Sequence, residues 1–280
     1  MLLNLEDFPH IKAVRIWQGN EIIFNDLKHY KEYDLFSVGC IFKSFLSALV
    51  GIAIHEGKIG SVKDRITDYY TESMYTSEWN NIMIFNALSK TTGLRWPIIG
   101  EPMPKNMSEV FKLPIVRTPG TEFMYKPDPQ IIVYLLEGLY EMSISDLFKE
   151  KILSNYPGVN CDWRSDNIEG MQVSIRLLDE FGKLYLHKGK VGSTYIFDED
   201  YYKLSIEKYS DGGFPERLAY GLGWWLGTYK DVPYFFASGF GGQILGIIPD
   251  KNMTISILSE MDRPHPENKS IIDMAIELVI

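Results

Sequence analysis

The chain carries a cysteine and a lysine three residues apart, at the start of a long apolar segment. Cys40 and Lys43 open residues 40–56, which are apolar on nearly every side and end before Gly57. We expect a buried helix here, stopped at that glycine. Three residues make nearly one helical turn, so the sulfur and the amine share a face. A nucleophile beside a proton-accepting amine is the minimal equipment for acyl transfer.

The environment predicted for this pair favours such chemistry. The start of a helix and a neighbouring ammonium both stabilise a thiolate at Cys40. Burial disfavours the ammonium form of Lys43, which makes its amine a candidate proton acceptor. The alternative is a small buried cysteine beside a lysine that reaches to solvent, because buried free cysteines are common. The pair alone leaves both interpretations open.

Two further segments carry residue types suited to acyl transfer. Tyr125 ends the segment at residues 119–125, and a neighbouring lysine would lower its pKa and make it a general base. Residues 237–243 hold three glycines at a strand edge, where backbone amides could form an oxyanion hole. Alone, Tyr125 is one of 17 tyrosines, and the glycine-rich segment is equally well a bulge or a hairpin turn.

Composition and charge exclude several classes of function. The 280 residues are 45% hydrophobic and have a net charge of -9, with no basic stripe, so we expect neither nucleic acid nor a membrane as a partner. Two cysteines, Cys40 and Cys161, do not make a disulfide framework. The five histidines are scattered and form no ligand spacing, so we expect no metal and no cofactor. The expected partner is a small-molecule substrate, and the oligomeric state stays open.

The N-terminal residues predict the cellular compartment. An acid stands within the first six residues, which is unlike a signal peptide. The longest apolar run, residues 45–54, is too short for a membrane span of about 20 residues. We therefore expect a cytoplasmic, soluble protein.

The elements that must position these residues can be read from the pattern along the chain. We expect strands at residues 11–18 and 21–25, joined by a hairpin turn at Gly19 and Asn20. Helices are predicted over residues 79–89, 130–140, 145–152, 170–186 and 268–280. Further strands are predicted over residues 220–228, 234–238, 242–248 and 253–259.

This order predicts an α+β fold (an α/β sandwich). An antiparallel sheet is built from both chain ends and flanked by helices, and an all-helical subdomain is inserted between them. Residues 1–280 would form a single domain. Within it, residues 1–60 and 191–280 would make the α/β subdomain, and residues 61–190 the helical one.

The order and context of the three segments resemble the serine β-lactamase/penicillin-binding-protein superfamily. The most similar branch is the class C-like group with esterases and 6-aminohexanoate-oligomer hydrolases. The resemblance covers most of the chain and rests on the following stretches: LFSVGCIFKSFLSALVGIAIHEGKI, NIMIFNALSKTTGLRW, TPGTEFMYKPDPQIIVYLLE, RLLDEFGKLYLHKGK, YGLGWWLG and YFFASGFGGQILGIIPD.

This resemblance implies a role for each matching residue. Cys40 would occupy the place of the nucleophilic serine of the Ser-x-x-Lys motif, Lys43 that of the partner lysine, and Tyr125 that of the general base. The backbone N–H groups of Cys40 and Phe240 would form the oxyanion hole. The third motif, which holds the substrate, would be Ala237, Ser238 and Gly239.

The chain departs from the family pattern at three places. The nucleophile position holds cysteine; an alternative register makes Ser37 the nucleophile, but it lies six residues from Lys43 and would face elsewhere on a helix. Pro127 stands where a polar side chain usually holds the substrate. Ala237 replaces a cation, so the carboxylate of a β-lactam or a D-Ala-D-Ala peptide would lose its partner. A true β-lactamase or DD-peptidase is therefore disfavoured.

The sequence predicts a hydrolase or acyltransferase of a small amide or ester that forms a covalent acyl-enzyme on Cys40. Abundant aromatic residues, including Trp224 and Trp225, favour an uncharged or hydrophobic substrate. One alternative is a catalytically inactive protein of this fold that binds a ligand or a partner. Another is a purely structural role. The substrate, the choice between hydrolysis and transfer, and whether Cys40 replaces a natural serine stay open.

Overall fold

A computed structural model describes residues 5–98, 100–164 and 167–279. Residues 1–4, where the N-terminal prediction falls, and Ile280, the predicted end of the last helix, lie outside the described residues. The strands are β1 Ile11–Gln18, β2 Glu21–Asp26, β3 Phe36–Ser37, β4 Cys161–Arg164, β5 Asn167–Val173, β6 Lys190–Val191, β7 Thr194–Tyr195, β8 Ala219–Tyr220, β9 Trp225–Tyr229, β10 Val232–Gly239, β11 Gln243–Ile248 and β12 Met253–Ser259. The helices are α1 Phe42–His55, α2 Ile84–Ser89, α3 Met107–Val110, α4 Pro129–Tyr140, α5 Ile144–Lys151, α6 Ile175–Leu186, α7 Glu199–Ser205 and α8 Ser270–Glu277.

The predicted antiparallel sheet from both chain ends is confirmed. Seven strands follow the order β2-β1-β12-β11-β10-β9-β8, so the first hairpin of the chain pairs directly with its last strand. Ile16 of β1 lies opposite Ile255 of β12. Every residue of β11 and β12 is buried, because α6 covers one face of these strands and α8 the other. Central strands covered on both faces are mainly apolar, as these two are.

The middle of the chain is mainly helical but also contains strands. β4 and β5 lie within residues 61–190 and form a three-stranded sheet with β3, in which β5 is the central strand. The helix predicted from residue 170 begins at Ile175, because the residues before it belong to β5. Ser174 sets that boundary: its side chain accepts a hydrogen bond from the backbone N–H of Leu177, as helix-capping residues do.

Helix α1 forms the centre of the larger hydrophobic core. Twelve of its fourteen residues are buried, which is why its sequence shows no polar face. Phe45 packs on Phe181 of α6 and Phe148 of α5, with ring centroids 4.1 and 5.1 Å away. Burying one such side chain stabilises the fold by about 1.5–3 kcal/mol. Within the described part of the chain, α1 and every other helix are too short or too polar to span a bilayer.

Candidate active site

The three side chains that the sequence singled out lie together. A short 3₁₀ turn, Gly39–Ile41, precedes α1, so Cys40 stands one turn before the helix proper. Lys43 Nζ donates a hydrogen bond to the Tyr125 hydroxyl at 3.2 Å. The charge of the Cys40 side chain acts on the same hydroxyl, so the thiol lies near the phenol. Cys40 is half-buried and Lys43 is buried, so the thiol is more accessible to solvent than the amine.

The expected lowering of the Tyr125 pKa is wrong. Burial, followed by the charge of Cys40, raises the pKa of this phenol well above its usual value. Tyr125 is therefore a proton donor at neutral pH, and the sequence argument misjudged it by weighing Lys43 without Cys40.

Two glycines bring the nucleophile turn against the end of β10. Gly39 has φ +50°, and a Cβ built on it would lie 3.0 Å from the backbone nitrogen of Phe240. A Cβ on Gly239 would lie 2.0 Å from the carbonyl oxygen of Val38. Both positions require glycine, because a side chain would push the two backbones apart. The amides of Cys40 and Phe240 therefore belong to adjoining backbone segments, as a two-donor oxyanion hole requires.

The segment that carries Tyr125 has no regular structure of its own. It is held by the residues that follow α2: the backbone N–H of Met124 donates to the carbonyl oxygen of Lys90, and that of Gly120 to Thr91, each at 2.8 Å. Lys90 has φ +61° and ends α2 in the left-handed conformation. The place of Tyr125 thus depends on the turn after α2.

A buried lysine and a buried aspartate lie behind Tyr125, and the sequence analysis missed both. Lys90 Nζ lies 4.5 Å from the centroid of the Tyr125 ring and donates to the carbonyl oxygen of Lys126 at 2.8 Å. Burial raises the pKa of Asp128 to about 6, against the opposing charge of Lys90 and a hydrogen bond from the Trp96 indole N–H. A lysine between small polar residues after an apolar helix was the available signal.

The third motif presents its serine to a carboxylate. Ser238 Oγ donates to Glu216 Oε1 at 2.6 Å, and Lys269 Nζ lies 3.5 Å from Glu216 Oε2. The Ala237 side chain is buried in the core, so it cannot contact a substrate. Phe240, next along the chain, is half exposed. Glu216 was missed because it lies in a loop with no periodic pattern.

Aromatic rings form one wall beside Tyr125. Trp225 stacks on Tyr125 with ring centroids 6.3 Å apart, and Phe123 lies 5.7 Å from Trp225 and 5.3 Å from Tyr220. Trp224 instead packs in the core against Phe235, with centroids 5.1 Å apart. Of the two tryptophans used to predict the substrate, only Trp225 therefore contacts the candidate site.

Ser37 and Pro127, two other positions that the sequence singled out, belong to neighbouring elements. Ser37 belongs to β3, in register with Gln172 of β5, and the charge of Cys40 acts on the Tyr125 hydroxyl. These positions favour Cys40 over Ser37 as the nucleophile. Pro127 is half-buried, and its carbonyl oxygen accepts from the backbone N–H of Gln130 at the start of α4.

Two histidines that are distant in sequence stack on each other. The rings of His10 and His265 are 3.6 Å apart and nearly parallel, and Glu267 lies beside both. His265 places its nitrogens 3.1 Å from Glu267 and 3.0 Å from Asp262. A metal binds in the plane of each imidazole, so parallel rings do not converge on one ion. The absence of a metal stays a prediction.

Comparison with known proteins places the chain in a family. A family model described as Beta-lactamase matches residues 12–278. The chain belongs to the β-lactamase family. No curated protein matches this β-lactamase-family chain.

Solved structures agree with this family in fold. A candidate β-lactamase from Bacteroides dorei has a TM-score of 0.82 at 16% identity, covering 98% of this chain and 95% of that one. A candidate 6-aminohexanoate-dimer hydrolase from Bacillus anthracis gives 0.80 at 15% identity, over 98% and 80% of the two chains. A class C β-lactamase gives 0.77 at 14% identity, over 99% and 93%. At these identities the β-lactamase fold is what the chains share.

Proposed function

We propose that this chain is a hydrolase or acyltransferase of small amides or esters that works through an acyl thioester on Cys40. The observation that carries the proposal is the hydrogen bond from Lys43 Nζ to the Tyr125 hydroxyl at 3.2 Å, with Cys40 near enough for its charge to act on that phenol. A nucleophile, a proton donor and a lysine close to one another are the groups that acyl transfer needs. Family membership is consistent with this chemistry.

In the acylation step, the Cys40 thiolate attacks the substrate carbonyl and a carbon–sulfur bond forms. The carbonyl oxygen becomes an oxyanion, which accepts from the backbone N–H groups of Cys40 and Phe240. The bond to the leaving group then breaks as Tyr125 gives its proton to the departing nitrogen or oxygen. Lys43, whose Nζ already donates to the phenolic oxygen, returns a proton to Tyr125.

In the second step, the thioester is released. Water attacks the thioester carbonyl, its proton goes to the Lys43 amine, and the Cys40 thiolate leaves with the electrons of the carbon–sulfur bond. A thioester also reacts readily with amines, so an amine can replace water as the acceptor. Hydrolysis and transfer therefore share the same residues.

The third motif argues against β-lactams and D-Ala-D-Ala peptides as substrates. Ala237 stands where a cation would pair with the substrate carboxylate, and its side chain is buried in the core. An unpaired buried carboxylate costs several kcal/mol. The same observation favours the second candidate, a protein of this fold that binds a ligand without turning it over.

A panel of nitrophenyl esters with acyl chains of different length tests the proposal. Wild type and Cys161→Ala should release nitrophenol at the same rate, whereas Cys40→Ala should fall to the uncatalysed rate. Cys161 is a matched control, because burial raises its pKa to about 11 and leaves the thiol protonated at neutral pH. If no ester is turned over and Cys40→Ala leaves ligand binding intact, the non-catalytic candidate holds instead.

A further inference from the structure

We propose that the candidate site accepts substrates carrying a positively charged group, bound by the Glu216 carboxylate at the third motif. This inference rests on the proposed function, because it names the substrate class of the same site. It replaces the expectation of an uncharged substrate.

The first observation is the carboxylate itself. Glu216 lies beside the third motif, with its side chain only 13% exposed, and Ser238 Oγ donates to its Oε1 at 2.6 Å. The charge of Glu216 also acts on the Tyr125 hydroxyl, so the carboxylate and the reacting groups are in electrostatic contact. A carboxylate offers about four acceptor positions on its two oxygens, and Ser238 uses one of them.

The second observation is the residue at the place of the missing cation. Ala237 is on β10 directly before Ser238, and its side chain is buried in the core. The sequence position that would attract a carboxylate is therefore neutral, and the nearest ionisable side chain that hydrogen-bonds the motif is an acid. Such a side chain attracts a positive charge.

The third observation is the aromatic wall. The partly exposed ring of Phe123 lies beside Tyr125, with the buried rings of Trp225 and Tyr220 behind it, and the half-exposed ring of Phe240 follows the motif. Aromatic faces attract ammonium and guanidinium groups, and the attraction grows where water is excluded. Rings beside one carboxylate thus suit a cationic group better than a neutral one.

Other charges surround this arrangement and set its limits. Lys269 lies 3.5 Å from Glu216 Oε2 and is one-third exposed, so it can turn to solvent when another cation arrives. Lys43 and Lys90 both lie within 5 Å of the Tyr125 ring centroid, and Asp128 opposes the charge of Lys90. The substrate cation is therefore expected at Ser238 and Glu216.

The test compares how fast Cys40 reacts with a cationic and with an anionic reagent, which reports the charge around the thiol. It does not depend on any substrate being turned over. In a Cys161→Ala background, Cys40 is modified with two methanethiosulfonates, one carrying trimethylammonium and one carrying sulfonate. The second-order rate constant for the cationic reagent is divided by that for the anionic reagent. This cation-to-anion ratio is then divided by the same ratio measured for free cysteine. We expect Glu216→Gln to lower the cation-to-anion ratio about tenfold and Lys269→Met to raise it. Glu216→Gln keeps an amide oxygen that can accept the hydrogen bond from Ser238. Glu150→Gln on α5 is the matched control, and we expect no change in its cation-to-anion ratio.

A second arm measures kcat/KM for a choline ester and for its neutral isostere, with the same variants. An unchanged labelling ratio in Glu216→Gln overturns the inference, even if esters are hydrolysed. A ratio that depends on Glu216 while no ester is turned over supports the cation subsite and contradicts the proposed function. A choline ester preferred by about tenfold in wild type, and no longer preferred in Glu216→Gln, supports both.

Discussion

Lys43 Nζ lies 3.2 Å from the hydroxyl oxygen of Tyr125, although 82 residues separate the two in the chain. The contact joins the start of helix α1 to an irregular segment that is itself tied to the end of α2. The charge of Cys40 acts on the same phenol, so Tyr125 lies near both the amine and the thiol. In the proposed mechanism, Tyr125 is therefore the group that passes a proton to the leaving group.

Tyr125→Phe separates the role of acid from that of base. If the phenol protonates the leaving group, kcat for amides should fall about 100-fold or more, because an amine leaves only after protonation. Nitrophenyl esters, whose leaving group needs no proton, should lose less than about tenfold in acylation rate. Rapid-mixing kinetics on a matched amide and ester checks this. Equal losses for both substrates would show that Tyr125 acts before the leaving group departs.

The buried pair behind Tyr125 is expected to support the site structurally. Lys90→Met leaves Asp128 buried without its opposing charge, so the free energy of unfolding should drop by about 3–5 kcal/mol. Adding Asp128→Asn to that variant should restore a large part of the loss. Urea denaturation of the single and double variants measures the coupling.

The exposed pair of Arg117 and Glu122 is the control for that cycle. Both side chains are more than half exposed, and Arg117 Nε lies 2.9 Å from Glu122 Oε2. Exposed pairs contribute about 0–1 kcal/mol, so its coupling should be small. A Lys90–Asp128 coupling no larger than that of the exposed pair would contradict the structural role.

Asp179 predicts a pH dependence of stability. Burial raises its pKa to about 6 from an ordinary value of 3.8, although Arg15 lies 3.0 Å away and Ser256 donates at 2.7 Å. The folded protein therefore binds this proton more tightly than the unfolded chain. The contribution of Asp179 to the free energy of unfolding falls as the pH rises from about 4 to about 6.

Asp179→Asn removes this dependence. Each pKa unit corresponds to about 1.4 kcal/mol, so the stability of the variant relative to wild type should rise by about 3 kcal/mol across that window. Urea denaturation of both proteins at pH 4 and pH 7 gives the comparison, and the other carboxylates cancel because both proteins contain them. A difference that is the same at both pH values would contradict the argument.

Much of the fold was predictable because its signals are local. Residues 11–18 are rich in β-branched and aromatic residues, which is typical of a strand, and α1 is apolar on nearly every side because almost all of it is buried. The helix boundary at Ile175 was predicted wrongly, because β5 and α6 are both rich in apolar residues and only Ser174 separates them. Cys40 and Lys43 were found from their spacing alone.

The rest of the site depends on contacts that no local pattern encodes. Glu216 reaches Ser238 from a loop 22 residues earlier, and Lys90 reaches Tyr125 from the end of another helix. The direction of the Tyr125 pKa shift required knowing that the phenol is buried and that Cys40 lies near it. His10 and His265 meet although 255 positions separate them, because the first and last parts of the chain share one sheet.

Intact-mass spectrometry of the acid-quenched protein tests the central claim most directly. The protein is incubated with a mixed panel of activated esters at pH 7, and the modified peptide is mapped. We predict a mass gain of one acyl group on Cys40, absent in Cys40→Ala and unchanged in Cys161→Ala. Acylation on Ser37, on Cys161 or on no residue under conditions where esters are consumed would contradict Cys40 as the nucleophile.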